Sequence, residues 1–382
     1  MPWRATDAEK ERLRFIAKAQ EGLYRMGELC ERFGISRQAG YTLLQRYERE
    51  GVAALRERSR APKSSPQRIS EPMQAVLLQA RREHPGWGPR TVLAHLDRRQ
   101  PGLALPAAST VGDLYVRHGL VEPRPRRRRW RHPGRAAGAA SAPNEVWTTD
   151  FKGQFRLGDG RLCYPLTVAD AHTRYLLACD GLSSTAHSGA RGVFEHVFRT
   201  YGLPAVIRSD NGAPFSTQAI AGLSQLSVWW TKLGIRHDRI ERGHPEQNGS
   251  HERMHRTLKQ ATLRPAAAHG SEQQERFDSF RAEFNDERPH HALQMETPGS
   301  LYMRSVRELP ERIAAPEYPA HYQVRRLRKN GILYFRDRSM FVSELLMGEL
   351  VGVEEIEDGV WSLYFYDLLL ARLDERTWTL SS

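Results

Sequence analysis

The chain has 382 residues, too many for one ordinary domain, and its 40% hydrophobic content excludes a wholly disordered protein. Lys and Arg number 57 against 45 Asp and Glu, a formal charge of +12 that makes a polyanion, above all nucleic acid, the expected partner. Cys30, Cys163 and Cys179 form no CxxC pair and no zinc spacing with histidine, and no apolar run is long enough to span a bilayer, so the composition points to a cytoplasmic protein without disulfides, signal peptide or membrane span.

Residues 7–50 read as helices. In DAEKERLRFIAKAQEG, Leu13, Ile16 and Ala17 recur at helical spacing and Gly22 ends the run. Leu29, Phe33 and Ile35 follow on one side, Gly34 suits a tight turn, and Ser36 suits the cap of a helix whose apolar face would be Tyr41, Leu44 and Tyr47. This is helix-turn-helix spacing. Arg37, Gln38 and Thr42 on the second helix are then free to meet DNA. SRAPKSSPQR, 59–68, reads as a linker. A second helical unit of similar design spans 69–122, with Ser109 or Thr110 as a cap. From 123 to 143 a proline-bounded basic stretch holds Arg126, Arg127, Arg128 and Arg129, a linker whose guanidiniums are suited to DNA phosphates.

From 144 strands and helices alternate. EVWTTDFKGQFRL, RLCYPLTVAD and RYLLACDGL read as three strands, followed by a helix over 186–201, the strand AVIRSD, a helix over 217–233 and the strand GIRHDRI. Helices over 250–268 and 271–287 complete a mixed sheet covered on both faces. The tail from 318 to 382 is β in character, with hairpin signals at Asn330-Gly331 and Asp358-Gly359, and suits a small barrel.

Asp150 lies on the first strand of this central region, and Asp210 where a buried strand emerges into Asn-Gly, the kind of edge where open α/β sheets bind ligands. On the helix that follows GHPEQNGS, Met254, Leu258 and Ala261 form the stripe expected to face the sheet. Glu252 leaves that stripe and shares a second one with Arg256 and Lys259. Taken singly, a strand-end aspartate is a turn residue and a first-turn glutamate a dipole partner.

The segments NEVWTTDFKGQF, AVIRSDNGAPFS, GHPEQNGSHERMHRTLK, FNDERPHHAL and TPGSLY together resemble the DDE integrase core of bacterial insertion-sequence transposases, over roughly residues 144–300 of a core domain expected at 144–305. The two N-terminal helix-turn-helix units are also similar to that family; the zinc module of retroviral relatives has no counterpart in the sequence. The resemblance implies a ribonuclease H-like α/β core between α-helical N-terminal units and an all-β C-terminal domain. It implies a transposase that cleaves DNA and transfers strands with two Mg²⁺ ions, Mn²⁺ being able to substitute. The metal-binding catalytic acids would be Asp150, Asp210 and one glutamate. The customary spacing, 35 intervening residues, favours Glu246, whereas the local motif and helix face favour Glu252, with 41. We take Glu252. Asn211, His244 and Asn248 lie beside the acids as DNA contacts, and Arg256 and Lys259 as phosphate contacts. The expected partners are terminal inverted repeats, target DNA and further copies of the chain on DNA, in a bacterial nucleoid. A catalytically silent DNA-binding regulator and a nuclease that only cuts are the competing readings.

Overall fold

The structure, a computed structural model, describes residues 8–57, 68–121, 140–241 and 249–381. The four arginines Arg126, Arg127, Arg128 and Arg129, nearly all of the expected 59–68 linker, and His244, Glu246 and Asn248 lie outside the described residues. The chain divides into two compact units, Met1–Ile69 and Ser70–Ser382.

The first unit is built from α1 (Ala8–Gln20), α2 (Met26–Phe33) and α3 (Arg37–Glu50). Gly34 turns the chain with φ +67°, and Ser36 Oγ accepts from Ala39 N at 3.2 Å, so the turn and cap are as the sequence suggests. Phe15, Ile16, Leu29, Cys30, Ile35 and Leu43 form the core. The inward face of α3 is Gly40, Leu43, Leu44 and Tyr47 rather than Tyr41, Leu44 and Tyr47. Gly40 sets that phase, because a Cβ there would stand 2.7 Å from Cys30 Sγ. Tyr41, one helical step away, is 54% exposed, and Leu13 on α1 is also exposed.

The second unit begins with α4 (Glu71–Glu83), α5 (Pro89–Arg99) and α6 (Ala108–Arg117), packed around Leu77, Trp87, Val92, Val111, Leu114 and Tyr115. Ser109 and Thr110 do not cap α6. The helix starts at Ala108, so both lie inside its first turn.

The central sheet follows: β1 (Val146–Phe151), β2 (Phe155–Arg156), β3 (Leu162–Asp170) and β4 (Leu176–Leu182), then α7 (His187–Tyr201), β5 (Val206–Ser209), α8 (Gln225–Lys232) and β6 (Arg236–Arg239). β3 runs antiparallel to β1, β2 and β4, whereas β5 lies parallel to both β1 and β6. This is the mixed, ribonuclease H-like order that the sequence suggests. Along β1 the side chains alternate between faces. Trp147 joins Phe194, Phe198 and Trp230 under α7 and α8. Thr148 faces the opposite side, covered by α9 (Gly249–Thr262) and α10 (Gly270–Ala282), whose Met254, Leu258, Phe277 and Phe280 complete a second core.

Three helix boundaries differ from expectation. Residues 217–224 carry only a 3₁₀ turn, Ile220–Gly222, and α8 starts at Gln225 because Ser224 and Ser227 cap each other's backbone amides at 3.1 and 2.8 Å. α9 ends at Thr262, shortly before Pro265, which has no N–H to continue a helix. α10 ends at Ala282 and passes into a π-helical turn, Glu283–Glu287.

After α11 (Pro298–Leu301) the chain runs into an all-β domain: β7 (Gln323–Arg326), β8 (Ile332–Phe335), β9 (Arg338–Phe341), β10 (Leu350–Glu357), β11 (Val360–Phe365), β12 (Leu368–Asp374) and β13 (Thr379–Ser381). Five strands form one sheet in the order β13-β12-β11-β10-β7, and β8 and β9 form a separate hairpin over the same core. Asp358-Gly359 joins β10 to β11 as expected. Asn330-Gly331 does not make a hairpin: β7 pairs with β10, and the β8–β9 turn falls at Arg336-Asp337, both with positive φ. Gly331 instead packs so tightly under Ser343 that a Cβ would stand 2.3 Å from its carbonyl oxygen. Among the described residues no helix is long and apolar enough to cross a membrane.

Candidate active site

The parallel register of β1 and β5 pairs Val146 with Val206 and Thr148 with Arg208. Continued by two residues, it sets Asp150 level with Asp210 at the carboxyl edges of adjacent strands, spaced ~4.8 Å in a sheet. The Asp210 carboxylate is steadied by Gly212 N at 3.2 Å, and a Cβ on Gly212 would come within 3.0 Å of it. Glu252 projects from the first turn of α9, exposed, on the same helix face as Arg256 and Lys259. Burial, then the charges of Asp210 and Glu252, push the Asp150 carboxyl up to about 7, while Lys152 acts in the opposite sense. Asp150 therefore feels both of the other acids. Among the described residues no three His, Cys, Asp or Glu side chains are gathered closely enough to hold a metal ion. The donor set is nevertheless that of a hard divalent cation: oxygen ligands only, with mutual repulsion that such an ion would relieve.

Beneath the acids lies a buried polar cluster that sequence reasoning missed. His251 and His255, 2% and 4% exposed, point from α9 into the sheet. His251 Nδ1 lies 2.9 Å from Thr148 Oγ1, and the Nε2 atoms of both histidines lie 2.7 Å from Thr167 Oγ1. Thr167 Oγ1 is also 3.1 Å from the Asp150 carbonyl, and His255 Nδ1 is 3.6 Å from Asp150 Oδ2. One hydroxyl has one proton, so at least one imidazole donates to Thr167 through Nε2–H. Burial lowers both histidine pKa values, keeping the rings neutral. His251, Glu252 and His255 have HExxH spacing, a zinc pattern on helices, but here the imidazoles bind threonines and Glu252 faces away from them. The signal available in the sequence was their position beside Met254 and Leu258 on the inward stripe.

The expected DNA contacts fare differently. Gln38 is exposed on α3, and Thr42 is exposed with its hydroxyl donating to Gln38 O at 2.7 Å. The Arg37 guanidinium lies over Gly27, where a Cβ would be 2.8 Å from it. Tyr41, assigned to the core by sequence, joins Gln38 and Gln45 on the outer face. Asn211 Nδ2 donates to Ile240 O at 2.7 Å, tying the loop after β5 to the end of β6. Arg256 and Lys259 are exposed, in line with Glu252.

Residues 140–245 and 233–298 match two family models, each described as an integrase core domain. The central region is thus similar to integrase cores. Residues 11–63 match a helix-turn-helix domain model and 39–115 a homeodomain-like one. The chain is 33% identical over 119 residues to the Pol polyprotein of feline endogenous virus ECE1, covering 31% of the chain and 11% of the polyprotein. It is 27% identical over 169 residues to a 31.7 kDa protein of the insertion element IS407 from Burkholderia multivorans, 42% of the chain and 56% of that protein. A 39.2 kDa protein of insertion element IS476 from Xanthomonas euvesicatoria is 26% identical over 191 residues, 48% of the chain and 51% of that protein. The chain thus spans about half of these insertion-element proteins and a small part of the viral polyprotein. Among solved structures, the HTLV-2 integrase catalytic core in complex with magnesium matches 43% of the chain and 99% of its own length, at 14% identity and a TM-score of 0.34. A simian T-cell lymphotropic virus intasome chain matches 77% of this chain and 97% of its own, at 16% and 0.38.

Proposed function

We propose that this protein is a DDE transposase that binds the ends of a mobile DNA element and joins them to target DNA. The reading is supported by the parallel register of β1 and β5, which, continued by two residues, brings Asp150 level with Asp210, and by the charge of Glu252 raising the Asp150 pKa. Asp150, Asp210 and Glu252 would hold the divalent ions. Bound magnesium would supply Lewis-acid activation of the attacking oxygen and charge stabilisation at the scissile phosphate. The chain's own residues do the rest. The two strands fix the aspartates at one edge, and Thr167, His251 and His255 lock α9 against that edge so that Glu252 and Arg256 face the same solvent. Arg256 and Lys259 offer cations for phosphates beside the acids. The helix-turn-helix unit presents Gln38, Tyr41 and Gln45 for base edges in the major groove. Two ends must be joined together, so a multimer on DNA is part of the proposal.

Strand transfer of pre-cut element ends in Mg²⁺, or in Mn²⁺, tests the reading. Glu252→Gln and Asp210→Asn should retain end binding and lose joining by at least about 10³-fold, the scale at which removing a transition-state charge stabiliser acts. Glu246→Gln should join normally. Loss confined to Glu246→Gln would move the third acid to Glu246, and a wild type that binds ends but never joins them would leave a DNA-binding regulator.

A further inference from the structure

The segment Phe284–Leu293, singled out in the sequence as FNDERPHHAL, is only partly accounted for by packing. Asn285 Oδ1 accepts from Leu176 N at 2.8 Å and its Nδ2 donates to Leu176 O at 3.0 Å, fastening the π-helical turn to β4. His290 Nε2 lies 3.3 Å from Phe284 O, with its ring edge-on to the Phe284 ring. Arg288 has no such role. It is half-buried; its backbone N donates to Glu283 O at 2.9 Å, but its guanidinium forms no hydrogen bond or ion pair among the described residues. Burial lowers its pKa, and only the charge of Glu283 acts against that.

Arg288 lines a crevice of 260 Å³ between α9, the end of β3 and the segment after the π-helical turn, together with Arg174, Arg253, Arg256, His290 and His291. At ~30 Å³ per water, this is room for a phosphate group and several waters. The one carboxylate in the wall, Asp170, is already engaged: Oδ1 accepts from Asn144 N at 2.8 Å, and Oδ2 from Thr173 N and Oγ1 at 2.7 Å each. Four guanidiniums thus face one satisfied carboxylate. The Arg256 guanidinium, like that of Arg288, has no hydrogen bond or ion pair among the described residues. The second helical unit closes one side, with Arg90 Nη1 3.4 Å from His291 Nε2.

The position of the crevice identifies its ligand. Thr148 is part of its wall, and Asp150 lies two residues along β1 on the same face, ~7 Å away. Glu252 immediately precedes Arg253 and stands one helical turn before Arg256. Phosphates of one DNA strand advance ~3.4 Å of helix axis per nucleotide, so ~7 Å is a step of one or two nucleotides. We infer that this crevice binds a phosphodiester of the reacting strand, one or two nucleotides from the scissile phosphate, with Arg288 as a half-buried cation in its wall. The inference rests on the transposase reading. It assigns Arg288 and its crevice a binding role that neither the acids nor the helix-turn-helix unit supplies.

The test uses the full chain, pre-cut end duplexes with single methylphosphonate linkages, and Arg288→Met, Arg288→Lys and Arg256→Met. In wild type, one uncharged linkage within two nucleotides of the scissile phosphate should weaken binding about ten-fold, the scale of one charge-assisted hydrogen bond. Arg288→Met should bind the unmodified duplex about ten-fold more weakly and be indifferent to that linkage, and its log–log salt slope should be smaller by about one. Arg288→Lys should recover most of the affinity. Should Arg288→Met fail to fold, the loss of linkage sensitivity is read from Arg256→Met instead. The inference is overturned if a stably folded Arg288→Met, or Arg256→Met in its place, keeps the wild-type salt slope and linkage sensitivity. A wild type that shows the linkage effect but never joins ends would overturn the catalytic reading and leave the crevice standing, whereas a wild type without affinity for the duplex would overturn both.

Discussion

Thr167 is the residue on which the floor of the site turns. Its single hydroxyl meets two buried imidazoles and the Asp150 carbonyl. Thr167→Val keeps the shape but strands two ring nitrogens, so the second unit should lose about 2–4 kcal/mol in denaturant unfolding, while Thr167→Ser stays near wild type. Two other histidines set an acid limit. Burial, then Arg239, push His237 down to about 4, with Asp238 opposing. Burial, then Arg288, push His290 to about 4, with Arg174 also lowering it and the Phe284 carbonyl opposing. Both folded-state values lie below the unfolded one of ~6.5, so their stabilising contribution is complete above that pH and is lost as the pH falls toward 4. The melting temperature should fall across that window, and His290→Gln should make the fall shallower. Neither role is visible in the sequence, because a histidine's neighbours come from other strands and helices.

At the scale of elements, local pattern predicted most of what formed. The strand expected at EVWTTDF forms as β1, and the Ser36 cap and Gly34 turn are where backbone chemistry requires them. Failures came where two local signals competed. On α3, aromatic residues drew the core assignment to Tyr41, but the close approach of Gly40 to Cys30 decides the helix phase. Gly40→Val should therefore destabilise the first unit by about 1–3 kcal/mol through overpacking and weaken end binding, with the unfolding of the second unit unchanged by calorimetry. Ser36→Ala, which removes only the cap, should cost about 1 kcal/mol in the same unit. On α9 the inward stripe is His251, Met254, His255, Leu258 and Thr262, and Ala261 is exposed. Hydrophobicity alone could not place the histidines inward, because they become acceptable there only once Thr148 and Thr167 satisfy them.

For the whole molecule, the proposed function and the charge of +12 together predict a DNA association dominated by phosphates. If six to ten phosphates are neutralised, end binding should weaken about 10³- to 10⁵-fold between 50 and 200 mM salt, measurable by fluorescence anisotropy. A much flatter dependence would mean that few of the 57 cations meet DNA. The sequence by itself determined most of the order of helices and strands, Asp150 on the first strand of the central region and Asp210 at a strand end, and the exposed stripe of Glu252, Arg256 and Lys259, because each depends on local periodicity and turn chemistry. Only the tertiary structure decided that β1 and β5 run parallel in the register that, continued, brings Asp150 level with Asp210, that two histidines pack against β1 and β3 beside Asp150, that Asn330-Gly331 is not a hairpin, and that Arg288 lines a cationic crevice. Strand register and the satisfaction of buried polar groups depend on partners far along the chain, and no local pattern specifies them.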